Sequence, residues 1–252
     1  MRKKLIIGNW KMNPRSAEDA RKIFAAIKRK AAKISSVTTV ICPPFPFLNL
    51  LSPDKKVALG AQDIHSEQDG AFTGEVSLAM VANAGGRYVI VGHSERRALG
   101  ETDEFVNKKL MQALKHGMNS VLCIGEKERD EGGHYLHFLN AELVAALNKI
   151  PSTHLRHLVI AYEPIWAIGK KEDEAMKPSE MHEMTIYIRK VLKSLYRGVD
   201  VESVPVLYGG SIGESNAEAM IRDGMVDGLL VGRQSLEPEA FGAILALADK
   251  TR

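Results

Sequence analysis

Cysteine is scarce in this chain, with only Cys42 and Cys123 among 252 residues. Both stand in apolar runs where buried free thiols are expected, which excludes a disulfide framework and points to a reducing compartment, hence the cytoplasm. Long hydrophobic runs are missing too. None reaches the ~18 residues of a membrane-spanning helix. The basic start Met1-Arg2-Lys3-Lys4 followed by Leu5-Ile6-Ile7 is too brief for a secretion signal, because Gly8-Asn9-Trp10-Lys11 ends the apolar run early. Charge of one sign is not in excess: 34 Lys and Arg against 31 Asp and Glu give a net charge of +3. That balance, with no basic stripe interleaved with aromatics, argues against nucleic acid as a partner. It is compatible with a small anionic substrate. No Pro/Gly/Ser-rich linker or low-complexity tract divides the chain, so residues 1–252 are expected to form a single domain.

What is present is a recurring unit. Short apolar, β-branched runs predict strands at Leu5–Asn9, Thr38–Cys42, Val57–Gln62, Tyr88–Gly92, Ser120–Ile124, Leu158–Tyr162, Val204–Tyr208 and Gly228–Val231, with helix-like segments between them. Each unit takes about 31 residues, close to the ~30 that a strand–helix–strand repeat needs. The runs lack clean polar alternation, as expected for parallel strands covered on both faces. Eight such units are the number that closes a (β/α)8 barrel. An open doubly wound sheet is the alternative, but the glycine fingerprint expected after its first strand is absent: Asn9-Trp10-Lys11 stands there instead.

In a barrel, the C-terminal strand ends and the loops after them build the active site. The run Leu158–Tyr162 ends in Glu163-Pro164. Proline cannot donate to the ladder and biases the residue before it towards an extended conformation, so the strand stops there. A carboxylate fixed at that point is a candidate general base. Ile165-Trp166-Ala167-Ile168-Gly169 is too apolar for a solvated loop and too short for a helix, which suits a water-excluding lid. On residue types alone, a structural strand end followed by a packed apolar loop fits as well. Lys11 and Asn9 follow the first strand, where a fixed cation could meet a developing enolate oxygen. His93 follows the fourth as a candidate acid or electrophile. The small residues Gly209-Gly210-Ser211 and Gly232 follow the seventh and eighth, where backbone N–H groups can approach an anion and barrels often bind phosphate. The long stretch from Gln62 to Glu75 lacks helical periodicity, and loops of this length are usually functional. The pairs His134/His137 and His154/His157 have no evident third ligand, so surface histidines are expected rather than a metal site.

Ala161-Tyr-Glu-Pro-Ile-Trp-Ala-Ile-Gly169 resembles the active-site signature of the triosephosphate isomerase family. Gly8-Asn-Trp-Lys-Met-Asn13, Gly92-His-Ser-Glu-Arg-Arg97 and Cys123-Ile-Gly-Glu126 extend the match along nearly the whole chain. The resemblance implies a (β/α)8 barrel enzyme of glycolysis and gluconeogenesis, an isomerase that interconverts dihydroxyacetone phosphate and D-glyceraldehyde 3-phosphate without cofactor or metal. It implies Glu163 as the base, His93 as the electrophile with a neutral imidazole near a helix N-terminus, and Lys11 and Asn9 beside the enediolate oxygens. Phosphate would be held by Asn9, Lys11, Gly169, Ser211, Gly232 and Arg233. It further implies a homodimer with Thr73 and Glu75 at the subunit contact, supporting or interface roles for Glu95 and Arg96, and structural support from Cys123–Glu126. Two departures stand out. Lys170-Lys171-Glu172 replaces the family's usual Thr-Gly-Lys beyond the lid, which bears on closing rate rather than chemistry. Arg233 replaces a second glycine, and the expectation there is a relaxed backbone with the guanidinium outside direct phosphate contact. A different phosphosugar isomerase or lyase on the same barrel is the nearest rival, and a non-enzymatic binding scaffold is a second. Neither is favoured while Lys11, His93 and Glu163 are all present.

Overall fold

A computed structural model describes residues 3–170 and 175–251. Eight parallel strands close on themselves in the order of the sequence. They are β1 (Lys4–Asn9), β2 (Val37–Cys42), β3 (Val57–Ala61), β4 (Gly86–Val91), β5 (Asn119–Ile124), β6 (Leu158–Tyr162), β7 (Val206–Tyr208) and β8 (Gly228–Val231). Closure is direct, with β1 pairing β8 from Leu5 opposite Gly228 to Gly8 opposite Val231. The α-helices among the described residues are α1 (Ala17–Ala31), α2 (Phe45–Leu48), α3 (Leu78–Asn83), α4 (Ser94–Ala98), α5 (Asp103–Lys115), α6 (His134–Ala146), α7 (Pro178–Leu195), α8 (Glu214–Arg222) and α9 (Pro238–Lys250). None of the described helices is long and apolar enough to cross a membrane.

The strands carry apolar side chains on both faces because each face has its own core. Leu5, Ile7, Val40, Cys42, Ile90, Val121, Cys123, Val159, Ala161, Leu207 and Leu230 fill the barrel interior as one cluster. Their sequence neighbours Ile6, Ile41, Val89, Leu122, Ile160, Val206 and Leu229 point outward into the larger core under the helices. That split follows the two-residue period of a strand. Both cysteines lie inside the barrel, free and buried, and burial pushes the Cys42 thiol far above its ordinary range.

The helices begin where side chains satisfy their first N–H groups. Ser16 caps α1 through Asp19, Ser77 caps α3 through Met80, and Thr102 caps α5 through Phe105. Strand bounds differ from expectation mainly at three ends. β3 stops at Ala61, and the Gln62 side chain turns to the backbone instead, donating to the carbonyls of Lys11 and Cys42 at 2.8 and 2.9 Å. β4 begins earlier, at Gly86. β7 begins at Val206 rather than Val204, since Pro205 has no N–H for the ladder, although its carbonyl accepts from Ile160 N at 2.9 Å.

Candidate active site

Glu163 sits one residue past β6, where Pro164 ends the strand, and is 3% exposed. Its backbone is tied to β5, with Glu163 N donating to the Ile124 carbonyl at 2.8 Å. Its carboxylate meets one hydrogen-bond donor and one imidazole nitrogen of the loop after β4. Oε2 accepts from Ser94 N at 3.2 Å, and Oε1 lies 3.2 Å from His93 Nε2. The His93 ring is fixed from its other side. It occupies the N-cap of α4, and its Nδ1 accepts from Glu95 N at 3.1 Å. A ring nitrogen that accepts a hydrogen bond carries no proton, so the imidazole is neutral with its hydrogen on Nε2.

Lys11 enters the same space from β1. Its backbone is left-handed, with φ of 52°, a conformation that costs a non-glycine residue about 1–3 kcal/mol. Neighbours hold it there: Lys11 N donates to Asn9 Oδ1 at 3.0 Å, and Gln62 Nε2 binds the Lys11 carbonyl at 2.8 Å. The ammonium reaches Glu95 Oε1 at 2.6 Å, with the two side chains 30% and 59% exposed.

The segment after Glu163 folds back as a 3-10 turn over Ile165–Ala167. Glu126, after β5 and 2% exposed, anchors it by accepting from Trp166 Nε1 at 2.9 Å and from the Tyr162 hydroxyl at 2.7 and 2.9 Å. Arg129 Nε adds a third donor at 3.1 Å, and its guanidinium lies over the Trp166 ring at 5.4 Å. Burial, then the Glu126 charge, pushes the Tyr162 phenol well above its ordinary range, so it remains a donor. From the opposite side, the Ser211 hydroxyl donates to the Ala167 and Lys170 carbonyls at 2.9 and 3.1 Å. Lys171 and Glu172, the rest of that departure, lie outside the described residues.

These groups surround one cavity of about 560 Å³ at the C-terminal end of the barrel. Asn9, Lys11, His93, Glu95, Glu163, Gly169, Ser211, Gly232 and Arg233 all line it. Gly209, Gly210 and Ile168 line it too, together with Ile212, Leu230 and Gln234, for which the sequence alone gives no signal. Arg233 is exposed at the start of a 3-10 turn, Arg233–Leu236. It is not among the described non-glycine residues with positive φ, which are Lys11, Lys149 and Met225, so its backbone is relaxed as expected.

Three of the singled-out residues lie elsewhere. Thr73 and Glu75 belong to an exposed run from residue 67 to 75. Arg96 faces Asp63, with Nε 3.0 Å from Oδ2 in a charge contact too poorly aligned for a hydrogen bond. Asp63 and Glu101 enclose the fully buried Lys109, whose ammonium donates to both Asp63 oxygens at 2.7 and 2.8 Å. Helical spacing alone gives no sign that this lysine is inside. His134 is exposed and pairs with Asp130 at 2.7 Å. Among the described residues, no group of three or more His, Cys, Asp or Glu side chains is placed to hold a metal ion.

The sequence matches the family model for triosephosphate isomerase over residues 4–248. It is 39% identical to the triosephosphate isomerase of Natranaerobius thermophilus, over 99% of this chain and 98% of that protein. Similarity to the enzymes of Carboxydothermus hydrogenoformans and Alkaliphilus oremlandii is of the same order, at 40% and 41% identity. Each of those matches covers 97% of this chain, and 98% and 99% of the relative respectively. The chain belongs to the triosephosphate isomerase family.

Proposed function

We propose that this protein interconverts dihydroxyacetone phosphate and D-glyceraldehyde 3-phosphate, with Glu163 moving the proton. The observation that carries this reading is the pair Glu163 Oε1 and His93 Nε2, 3.2 Å apart in a cavity that also holds Lys11. The carboxylate takes a proton from the carbon beside the carbonyl. Electron density moves to the carbonyl oxygen to form an enediolate, the hydroxyl proton passes from one oxygen to the other by way of His93 Nε2, and the carbon-bound proton returns to the neighbouring carbon. The Nε2–H of His93 and the ammonium of Lys11, with Asn9, face the oxygens where charge develops. Their preorganisation matters because donors already held in place need little reorientation as the charge appears. Moving one proton between the carbons and one between the oxygens balances without a cofactor.

The phosphate is assigned to the small-residue side of the cavity: Gly169, Ser211, Gly232 and the main chain of Arg233, with Lys11 and Asn9 at the junction with the reacting carbons. Binding there helps hold the lid closed. A closed lid excludes water and keeps the enediolate in a geometry that disfavours phosphate loss. The protein is read as a cytoplasmic homodimer acting in glycolysis and gluconeogenesis. The dimer reading rests on the exposed run 67–75, with Phe72 43% exposed within it, and on Met12 at 92% exposed. Thr73 and Glu75 are assigned to the subunit contact. Glu95 and Arg96 are assigned to support, through Lys11 and Asp63 respectively. A coupled assay with each triose phosphate tests the function. Turnover of both substrates is expected, and inactivity of the folded protein towards both would overturn it.

A further inference from the structure

Behind the catalytic pair lies a buried ion pair that the chemistry above does not use. Glu142 on α6 is 2% exposed, and its Oε2 accepts from Gly125 N, just past β5, at 2.9 Å. Its Oε1 lies 3.2 Å from Arg97 Nε on α4. Arg97 Nε also donates to the Gly92 carbonyl at 2.8 Å, and its NH1 donates to Asp103 Oδ1 on α5 at 2.5 Å. The two glycines show how tightly this pair touches the site. Gly92 takes φ of 71° and immediately precedes His93, and a Cβ on it would stand 3.1 Å from Arg97 NH2. Gly125 lies flat against the backbone of Glu163, where a Cβ would come within 1.8 Å of the Glu163 carbonyl oxygen. The pair thus spans from the loop that carries His93 and Ser94 to the strand end on which Glu163 rests.

We propose that the ionised carboxylate of Glu142, through Arg97 and Gly125, is a positioning residue that sets the His93–Glu163 separation. The inference rests on the function proposed above. A shift of about 1 Å in a reacting pair can cost on the order of 100-fold in rate, so a brace of this kind acts on turnover more than on affinity. It is also open to titration. The groups facing Glu142 are Arg97 on α4, Asp103 on α5, Gly125 N and Glu163, and Cys123 on β5 senses its charge. Burial raises the Glu142 carboxyl to about 7, against the opposing pull of Arg97.

The test compares Glu142→Gln and Glu142→Leu with the parent in steady-state kinetics on dihydroxyacetone phosphate between pH 5.5 and 8.5. Gln keeps an acceptor for Gly125 N and loses the charge opposite Arg97, while Leu loses both. At pH 8.5 kcat should fall by roughly tenfold for Gln and further for Leu, with KM changed less than about twofold. The ratio of parent to Gln kcat should shrink towards one as the pH falls and parental Glu142 becomes neutral. A folded Gln variant with parental kcat throughout would overturn the proposal, and so would a loss that stays constant with pH. Should Leu fail to fold, the near-isosteric Gln variant decides. The parent's own activity is measured in the same series, so failure of the isomerase reading is distinguished from failure of the brace.

Discussion

Glu163 Oε1 lies 3.2 Å from His93 Nε2, and both side chains are almost entirely withdrawn from water. The contact joins a carboxylate from the end of β6 to an imidazole fixed by its own N-cap on α4. Neither group has to search for the other. The barrel delivers them, and the Ser94 N–H steadies the second carboxylate oxygen. On the proposed function, the substrate would meet these two groups as a base and an electrophile already oriented.

Glu163→Gln should keep the fold, because the amide oxygen can still accept from Ser94 N. It should lose most turnover, since an amide is not a base. A drop in kcat of about 10²–10⁴-fold is expected for loss of one general base. Circular dichroism and turnover on one preparation check this, and near-parental kcat in the folded variant would remove Glu163 from the proposed role.

The strands were legible because apolar β-branched runs such as Leu158–Tyr162 and Gly228–Val231 fall on observed strand bounds. Misplaced ends have local causes: Pro205 removes a donor before β7, and β4 opens on the unpromising Gly86-Arg87. Of the candidate site, Asn9, Lys11, His93 and Glu163 were legible as polar residues at or just beyond the ends of buried strands. Their supports were not. Glu126 receives Trp166, Tyr162 and Arg129 together, and Glu142 joins α4 to the end of β5. A buried carboxylate on a helix reads in sequence like a solvated one until tertiary packing brings its partners. The Gln62 amide that holds Lys11 in its left-handed conformation is hidden for the same reason.

A homodimer is expected in which the run 67–75 of each copy packs on the other, the isologous arrangement usual for two-fold pairs. Sedimentation should give twice the mass of the 27.7 kDa chain. A fully active species at monomer mass would contradict the assembly while leaving the chemistry intact.

Glu142 also makes a stability prediction. Its folded pKa, raised by burial from 4.5 to about 7, means that the native state binds this proton more tightly than the unfolded chain does. The resulting stabilisation is fully present below pH 4.5 and is lost as pH rises through about 7. The whole effect is on the order of 3 kcal/mol. Glu142→Gln has no proton to exchange, so the stability difference between parent and variant should move in the parent's favour on going from pH 7.5 to pH 5. Urea midpoints at the two values measure it. An unchanged difference would show that the carboxyl titrates in its ordinary range.

Arg233 is where this chain departs from the glycine usual in its family. Its backbone is relaxed and opens a 3-10 turn, so arginine keeps an N–H available beside Gly232 without strain. The guanidinium is exposed while lining the cavity, and two arrangements are chemically open to it: solvent at the rim, or the phosphate itself. We place it at the rim, because the side of the cavity assigned to the phosphate in the proposed function is lined by glycines and Ser211, whose main chain would supply the donors. Arg233→Gly should then change kcat and KM by less than about threefold, within the small effect expected of an exposed charge. Ser211→Val should do more harm. It removes the hydroxyl that ties Ala167 and Lys170 to the loop after β7 and adds apolar bulk beside the anion. Steady-state kinetics of both variants across ionic strength separate the arrangements. A large rise in KM for Arg233→Gly that shrinks as salt is added would mean that the guanidinium attracts the substrate directly, since salt screens charge attraction but not the loss of a main-chain contact.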